Sequence, residues 1–398
     1  MTNYKYDIVI IGAGIIGASI CYKLSKRSDL KIAMIDKEPK LNKHQTGRNS
    51  GVIHSGVYYP KNSLKSKNCI SGYEQLLLFL DEHNIPYKLS GKLIAAANEM
   101  EYIELDRLYK NAVSLGLNVE YMDESQIKEI DRNIVTKKGF YVKETGITDY
   151  GQVLNKLVDI TSSGNTDYYF GEKIESIHES RNELTLKTKT KEIKAKYLIN
   201  CAGLNSDRIF ELSTGERSSV KILPFKGEYF EVPRENYSSD IAIYPVPNPN
   251  FPFLGVHLTR MIDGSLKVGP NAVLSLHREG YNGFEVDIKD AAEILTNSTL
   301  YNIAKSYSST VIKELLRQKS KKYFERNVKK YWSNYASSDI IGYSCGIRAQ
   351  ATENGMLLND FRIESRENQI HVLNAPSPAA TSCLAIADTV INEFKSIN

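Results

Sequence analysis

The segment YDIVIIGAGIIGASICYKLSKRSDLKIAMIDKE, residues 6–38, limits the fold more than any other part of the chain. Residues 7–11 form a short β-branched run, the pattern of a strand buried on both faces in a parallel sheet. Gly12, Gly14 and Gly17 follow at G-x-G-x-x-G spacing, then a helical pattern to about Lys26, then a second apolar run, 31–35, ending at Asp36. Gly12 permits a tight turn, Gly14 lets the backbone approach a pyrophosphate, and Gly17 lets the helix pack close to the strand. The helix N-terminus then faces the phosphates. Asp36, nineteen residues past Gly17, is placed to accept hydrogen bonds from a ribose hydroxyl. Strand, glycine turn, helix, strand and terminal acid in this order predict a dinucleotide-binding unit.

The motif alone does not choose between NAD and FAD. A nicotinamide enzyme usually continues through regular β-α-β repeats, yet this chain runs straight into HQTGRNSGVIHSGVYY, residues 44–59. A second clue lies far downstream in KAKYLINCAGLNSDRI, residues 194–209, where an apolar strand ends in Ala202-Gly203. That ending predicts another close backbone approach to the same dinucleotide, about 190 residues from the first. Two such approaches suit a long cofactor lying across a split domain, as FAD does.

Bulk properties narrow the classes. With 398 residues the chain has room for two or three domains, and its net charge of +4 leaves no electrostatic footprint for nucleic acid. Five cysteines (Cys21, Cys69, Cys201, Cys345, Cys383) stand alone without a C-x-x-C pair, and the seven histidines form no H-x-x-x-H pair. No metal site is expected, and the thiols read as small, mostly buried groups of a reducing, cytoplasmic compartment. The run 8–20 contains three glycines and no convincing cleavage site, and is shorter than the roughly 20 apolar residues a membrane span needs.

Four longer motifs carry a family resemblance: HQTGRNSGVIHSG (44–56), FLGVHLTRMIDGSLKVGPNAVLSL (253–276), GIRAQATENG (346–355) and VLNAPSPAATS (372–382). With the amino-terminal fingerprint and the Ala202-Gly203 strand end, the chain resembles the FAD-dependent amino-acid oxidase-like superfamily. More narrowly it resembles the L-2-hydroxyglutarate dehydrogenase/oxidase family. Lys226 stands where that pattern leads one to expect Arg, and Ala349 where many relatives have Pro.

The resemblance implies an α/β fold: a Rossmann-like FAD-binding domain with a β-sheet-based α+β substrate domain. It also implies oxidation of L-2-hydroxyglutarate to 2-oxoglutarate by hydride transfer to flavin N5, with oxygen or a quinone as electron acceptor. A flavin-dependent amine or amino-acid oxidase of the glycine or sarcosine oxidase type is the nearest alternative, and a non-catalytic flavin-binding protein a third. By analogy with relatives, Thr46, Gly47, Arg48, Asn49 and Ser50 contact the cofactor and His54 reaches the reacting edge of the flavin. The hydroxyl proton must leave as the α-hydrogen does, which calls for a neutral base. His54 is the first candidate and His257 the second; alternation puts His257 and Thr259 on one strand face.

A substrate carboxylate needs a planar, two-pronged cation, and Arg348 supplies one at the place where related oxidases clamp theirs. For the distal carboxylate, Tyr58, Tyr59, Lys267 and Arg260 are all open, although Arg260 should point away from the His257 face. Residues 379–382 are expected to begin a helix, making Ala379, Ala380 and Thr381 neighbours of the flavin.

The cofactor domain is expected from residues 1–90, 145–220 and 340–398, and the substrate domain from 91–144 and 221–339. Residues 64–83 and 99–115 read as helices and 92–97 as a strand. The basic stretch 313–331 reads as a solvated helix face; its sharper interpretation is a peripheral dock on the anionic inner face of the cell membrane.

Overall fold

The computed structural model describes residues 5–180, 183–247, 255–306 and 320–397. Two large sheets share the chain. In the first, the strand Tyr6–Ile11 lies between Glu192–Asn200 and Ile32–Asp36, parallel to both, and Ile32–Asp36 continues to Thr166–Phe170. Gln369–Asn374 adds parallel to Glu192–Asn200, with Leu198 opposite Gln369.

The apolar runs are continuous because both faces of this sheet are covered. Ile8, Ile10, Ile32 and Met34 pack on one side against the helices Ile15–Leu24 and Cys383–Ile397, through Ile20, Leu24, Val390 and Phe394. Val9, Ile11, Ala33 and Ile35 pack on the other against Leu184, Leu186 and Ile193. This is the parallel-sheet situation in which alternation vanishes from the sequence. The predicted helices form at Leu64–Glu82 and Glu99–Ser114 and the strand at Lys92–Ala96.

Among the described residues the second sheet has ten strands and is mostly antiparallel. Its spine is the pair Val220–Val232 and Gly342–Glu353, in register from Val220 opposite Glu353 to Glu231 opposite Gly342. Lys92–Ala96, Ala242–Pro245, His257–Arg260 and Leu266–Gly269 extend it over a core containing Leu93, Phe230, Val268 and the fully buried Trp332. One expectation shifts here. The strand Gly342–Glu353, placed by sequence with the cofactor domain, hydrogen-bonds along its length in the second sheet, so the crossing back comes later, at Arg362–Ser365. Its partner supplies the reason: Val220–Val232 offers a twelve-residue ladder that no strand of the first sheet matches.

A small third sheet joins Val52–Ile53, Gly146–Thr148 and Tyr87–Lys88. It fixes the segment that leads to His54. The five cysteines are free thiols; four are buried and Cys201 is half-buried. Among the described residues no helix is long and apolar enough to cross a membrane. Residues 313–319 of the basic stretch lie outside the described residues, while Lys321–Lys329 is a helix that buries Phe324 and Val328 and exposes Lys322 and Arg326, with exposed Lys330 just past its end.

Candidate active site

One cavity of about 1220 Å³ runs from the glycine turn of the first sheet to the inner face of the second. That exceeds the roughly 300–1,000 Å³ of an ordinary small-ligand pocket. At one end it is lined by Gly12, Ala13, Gly14, Asp36, Ala202 and Gly203, at the other by His54, Tyr58, Tyr59, Tyr229, His257 and Arg348.

The nucleotide end is built from backbone. Gly12 has φ +102, and a Cβ there would run into the Cys201 carbonyl, so the two glycine turns expected from sequence touch. Gly17 does not line the cavity; a Cβ on it would strike the Gly12 carbonyl, which is the packing role its spacing predicts. Asp36 accepts from Ala13 N at 2.7 Å and from Glu38 N at 2.8 Å, so its carboxylate braces the glycine loop as well as facing the cavity. The Ile15 amide at the helix start donates to Thr46 Oγ1 at 3.0 Å.

Sequence gave no signal for the ion network beside it. Lys37 Nζ meets Glu38 Oε1 at 2.5 Å, Glu279 Oε2 at 2.8 Å and His44 Nε2 at 3.0 Å. Glu38, His44 and Glu279 are spaced to ligate a cation, and the Lys37 ammonium is bonded to all three.

Part of the connecting loop reaches the cavity and part does not. Thr46, Arg48, Asn49 and Ser50 line the cavity. The Arg48 and Asn49 side chains are spent partly on the loop itself: Arg48 Nε donates to Lys43 O at 2.8 Å and its guanidinium lies 4.2 Å from the Tyr281 ring centre. Asn49 Nδ2 donates to Thr46 O at 2.6 Å. Gly47 does not line the cavity, because it is packed so closely on Asn42 that a Cβ would overlap that residue's backbone. Gln45, which motif reading passed over, ties the loop to the second sheet by accepting from Ala349 N at 3.1 Å.

Ala379 and Ala380 line the cavity and Thr381 does not. The helix begins at Cys383, four residues later than expected, because turns closed by Ala379 N to Pro376 O and Ser382 N to Pro378 O precede it. Thr381 works from behind the wall: its Oγ1 accepts the His54 amide at 3.0 Å and pairs with the Tyr150 hydroxyl at 2.8 Å.

At the far end His54 and His257 both face the cavity. Burial, reinforced by nearby Lys92, holds His54 neutral with a pKa lowered to about 3. Burial does the same to His257, also to about 3, against a hydrogen bond to the Gly255 backbone and with Arg348, His54 and Lys92 adding to the lowering. The Tyr244 ring stacks on His257 at 4.1 Å between centres and 11° between planes. Arg348, opposite Phe225 in the long strand pair, donates to Asn271 O at 3.2 Å and lies beside the Tyr229 phenol.

Two candidates for the distal carboxylate drop out. Lys267 shares the face of Thr259, but the cavity ends at the preceding pair, His257 opposite Gly269, so Lys267 lies beyond its rim near Asp263. Arg260 is bound to the Ser239, Arg234 and Tyr237 carbonyls and to Asp240. Tyr58 and Tyr59 remain on the wall, joined by Lys65.

The residues present fit an FAD. A side-chain-free turn and helix start suit a diphosphate, and a long polar wall leads to a chamber of neutral histidines and a guanidinium. Comparisons with known proteins agree. The family model described as FAD dependent oxidoreductase matches residues 7–392. The L-2-hydroxyglutarate dehydrogenase of Indibacter alkaliphilus is 40% identical over 389 residues, covering 97% of this chain and 98% of that one. The Escherichia coli enzyme of the same name is 36% identical over 396 residues, 98% and 94% of the two chains. FAD-bound L-α-glycerophosphate oxidase from Mycoplasma pneumoniae has the same fold, with a TM-score of 0.77 at 19% identity over 98% of this chain and 94% of that one. The chain belongs to the FAD-dependent oxidoreductase family and, within it, groups with the L-2-hydroxyglutarate dehydrogenases.

Proposed function

We propose that the chain oxidises L-2-hydroxyglutarate to 2-oxoglutarate, with the first sheet and its helices as cofactor domain and the second sheet as substrate domain. The observation that carries this reading is the convergence of Arg348, His54 and His257 at the end of the cavity opposite Gly12 and Asp36. Relatives bearing the name of that reaction align over nearly the whole chain, which supports the choice of substrate.

In this reading the Arg348 guanidinium binds the carboxylate beside the reacting carbon, because its fork matches two oxygens at once. That fixes the α-carbon and its hydroxyl against the histidines. When bound, FAD supplies the two-electron acceptor for the hydrogen leaving the α-carbon as hydride. One histidine, His54 first, takes the hydroxyl proton on a ring nitrogen as the C–O bond becomes a carbonyl. Burial keeps both rings neutral and so able to accept a proton, and the same burial makes the resulting imidazolium costly until the negative charge of the substrate enters beside it. Tyr58, Tyr59 and Tyr229 wall that end of the cavity.

Anaerobic addition of L-2-hydroxyglutarate to the yellow protein should bleach the flavin, while the D form and L-glutamate should not. Bleaching by amino acids alone would replace the reading with an amino-acid oxidase. Oxygen or a quinone completes the cycle, in a cytoplasmic protein that touches the anionic membrane face through exposed Lys322, Arg326 and Lys330. Failure to sediment with anionic vesicles at low salt would remove that membrane contact.

A further inference from the structure

Lys92 stands apart among the described cations. It opens the strand Lys92–Ala96, is only 1% exposed, and has no carboxylate partner among the described residues. Its ammonium lies 4.6 Å from the centre of the Tyr58 ring and 5.2 Å from that of Tyr244. The two rings are themselves roughly parallel, 6.5 Å apart, and both line the cavity. A buried charge without a counter-ion is costly, and ring faces offset only part of that cost. Burial accordingly lowers the Lys92 pKa to about 7.

The polar atoms around it are also incomplete. The Tyr58 phenol is buried without a hydrogen-bond partner among the described residues, while the Tyr244 phenol and the His257 ring make no well-formed hydrogen bond beyond loose contacts with Ser50, Thr259 and the Gly255 backbone. Hydroxyls of Ser50 and Thr259 sit beside the Tyr244 phenol. Burial raises both phenols, so they stay protonated and can only improve as donors next to a cation. Poorly satisfied donors clustered beside an uncompensated ammonium match one kind of ligand group, an anion with several acceptor lone pairs.

We propose that Lys92, with the phenols of Tyr58 and Tyr244, forms the subsite for the second carboxylate of the substrate, and so selects a diacid over a monoacid. The inference rests on the function proposed above and sharpens it. The tyrosines donate to the carboxylate oxygens, and Lys92 behind them supplies the balancing charge. Lys65 is the competing cation on the wall; it lies 5.6 Å from the Tyr59 ring.

The test measures anaerobic flavin reduction by L-2-hydroxyglutarate and by L-2-hydroxyvalerate, which has the same carbon chain ending in a methyl group. The wild-type holoenzyme should favour the diacid in kcat/KM by on the order of 10²-fold or more. Lys92→Met should erase most of that preference through a higher KM for the diacid, with the monoacid changed by less than about threefold. Tyr58→Phe should do the same more weakly, and it covers the case in which Lys92→Met loses its flavin. An equal loss for both substrates would make Lys92 an electrostatic support for the histidines and overturn the subsite. Intact discrimination in Lys92→Met, or its loss in Lys65→Met alone, would overturn it as well. If the wild type bleaches with neither substrate, the functional reading itself has failed, a result distinct from each of these.

Discussion

The two ends of the cavity are finished to different degrees. At the nucleotide end every polar side chain described above already has a protein partner: Asp36 holds two amides, and Lys37 is ringed by Glu38, His44 and Glu279. At the substrate end the Tyr58 phenol is buried unpaired, and the Tyr244 phenol and His257 ring have only loose contacts with Ser50, Thr259 and the Gly255 backbone. The first end reads a constant ligand with backbone and needs shape. The second reads a ligand that comes and goes, and it keeps donors in reserve at a cost in stability of about 1–3 kcal/mol for each unpaired group. The strain of an enzyme site is concentrated where turnover occurs.

The largest effect expected from this contrast is at Gly12. Gly12→Ala adds a methyl group that meets the Cys201 carbonyl, on a backbone with φ +102. Shape is lost rather than a bond, so the purified protein should be colourless, with no flavin absorbance per mole of chain. Yellow protein with normal flavin content would show that the turn yields and is not the rigid end.

Next come the histidines. Removing the true base should slow flavin reduction by about 10²–10⁴-fold, and removing the other by much less. His54→Ala and His257→Ala compared side by side assign the role, and equal small losses would exclude both. The rate should also lack an inflection near pH 6.5, because both rings are neutral down to about 3. The same shift has a stability consequence. Between pH 6.5 and about 3 the unfolded chain binds protons that the folded rings refuse, so stability falls as pH falls. Each histidine contributes about 1.4 kcal/mol per pH unit in that window. Urea unfolding at pH 7 and pH 5 checks the sign, and greater stability at pH 5 would contradict buried neutral rings.

The contrast also decides what could be read from sequence. Gly12, Gly14, Gly17 and Gly203 were legible because backbone geometry forces a residue type at a fixed spacing. That Arg348, His54 and His257 meet in one cavity was legible through motif context. Lys92 was not: a lysine opening a strand looks like any solvated strand end, and only the packing of Tyr58 and Tyr244 over it reveals burial. Lys267 failed for the opposite reason, since alternation gave its face and not how far the cavity extends along the strand. Glu279 lies 242 residues from Lys37, a distance across which local pattern carries nothing.

A smaller effect is expected at Arg348. Lysine there keeps the charge and loses the fork, so Arg348→Lys should lower kcat/KM by about 10²-fold, mostly through KM. An unchanged KM would take the guanidinium out of the substrate site.

The smallest effect belongs to Thr381, which touches neither end directly. Its Oγ1 accepts the His54 amide at 3.0 Å, while Tyr150 has an alternative acceptor in Val52 O at 3.0 Å. Thr381→Val keeps the shape and strips the acceptor, so Tyr150 remains satisfied and the His54 amide alone is orphaned. The cost is about 1–2 kcal/mol at one backbone position. If His54 acts from a fixed place, that loss appears as a three- to tenfold slower flavin reduction with KM unchanged, and Thr381→Ser restores the rate. If instead the flavin contacts Thr381, as the motif led one to expect, the valine variant should shift the flavin spectrum while His54 still works at full speed. The two outcomes separate a residue that positions the base from one that touches the cofactor, and the wall between Thr381 and the cavity favours the first.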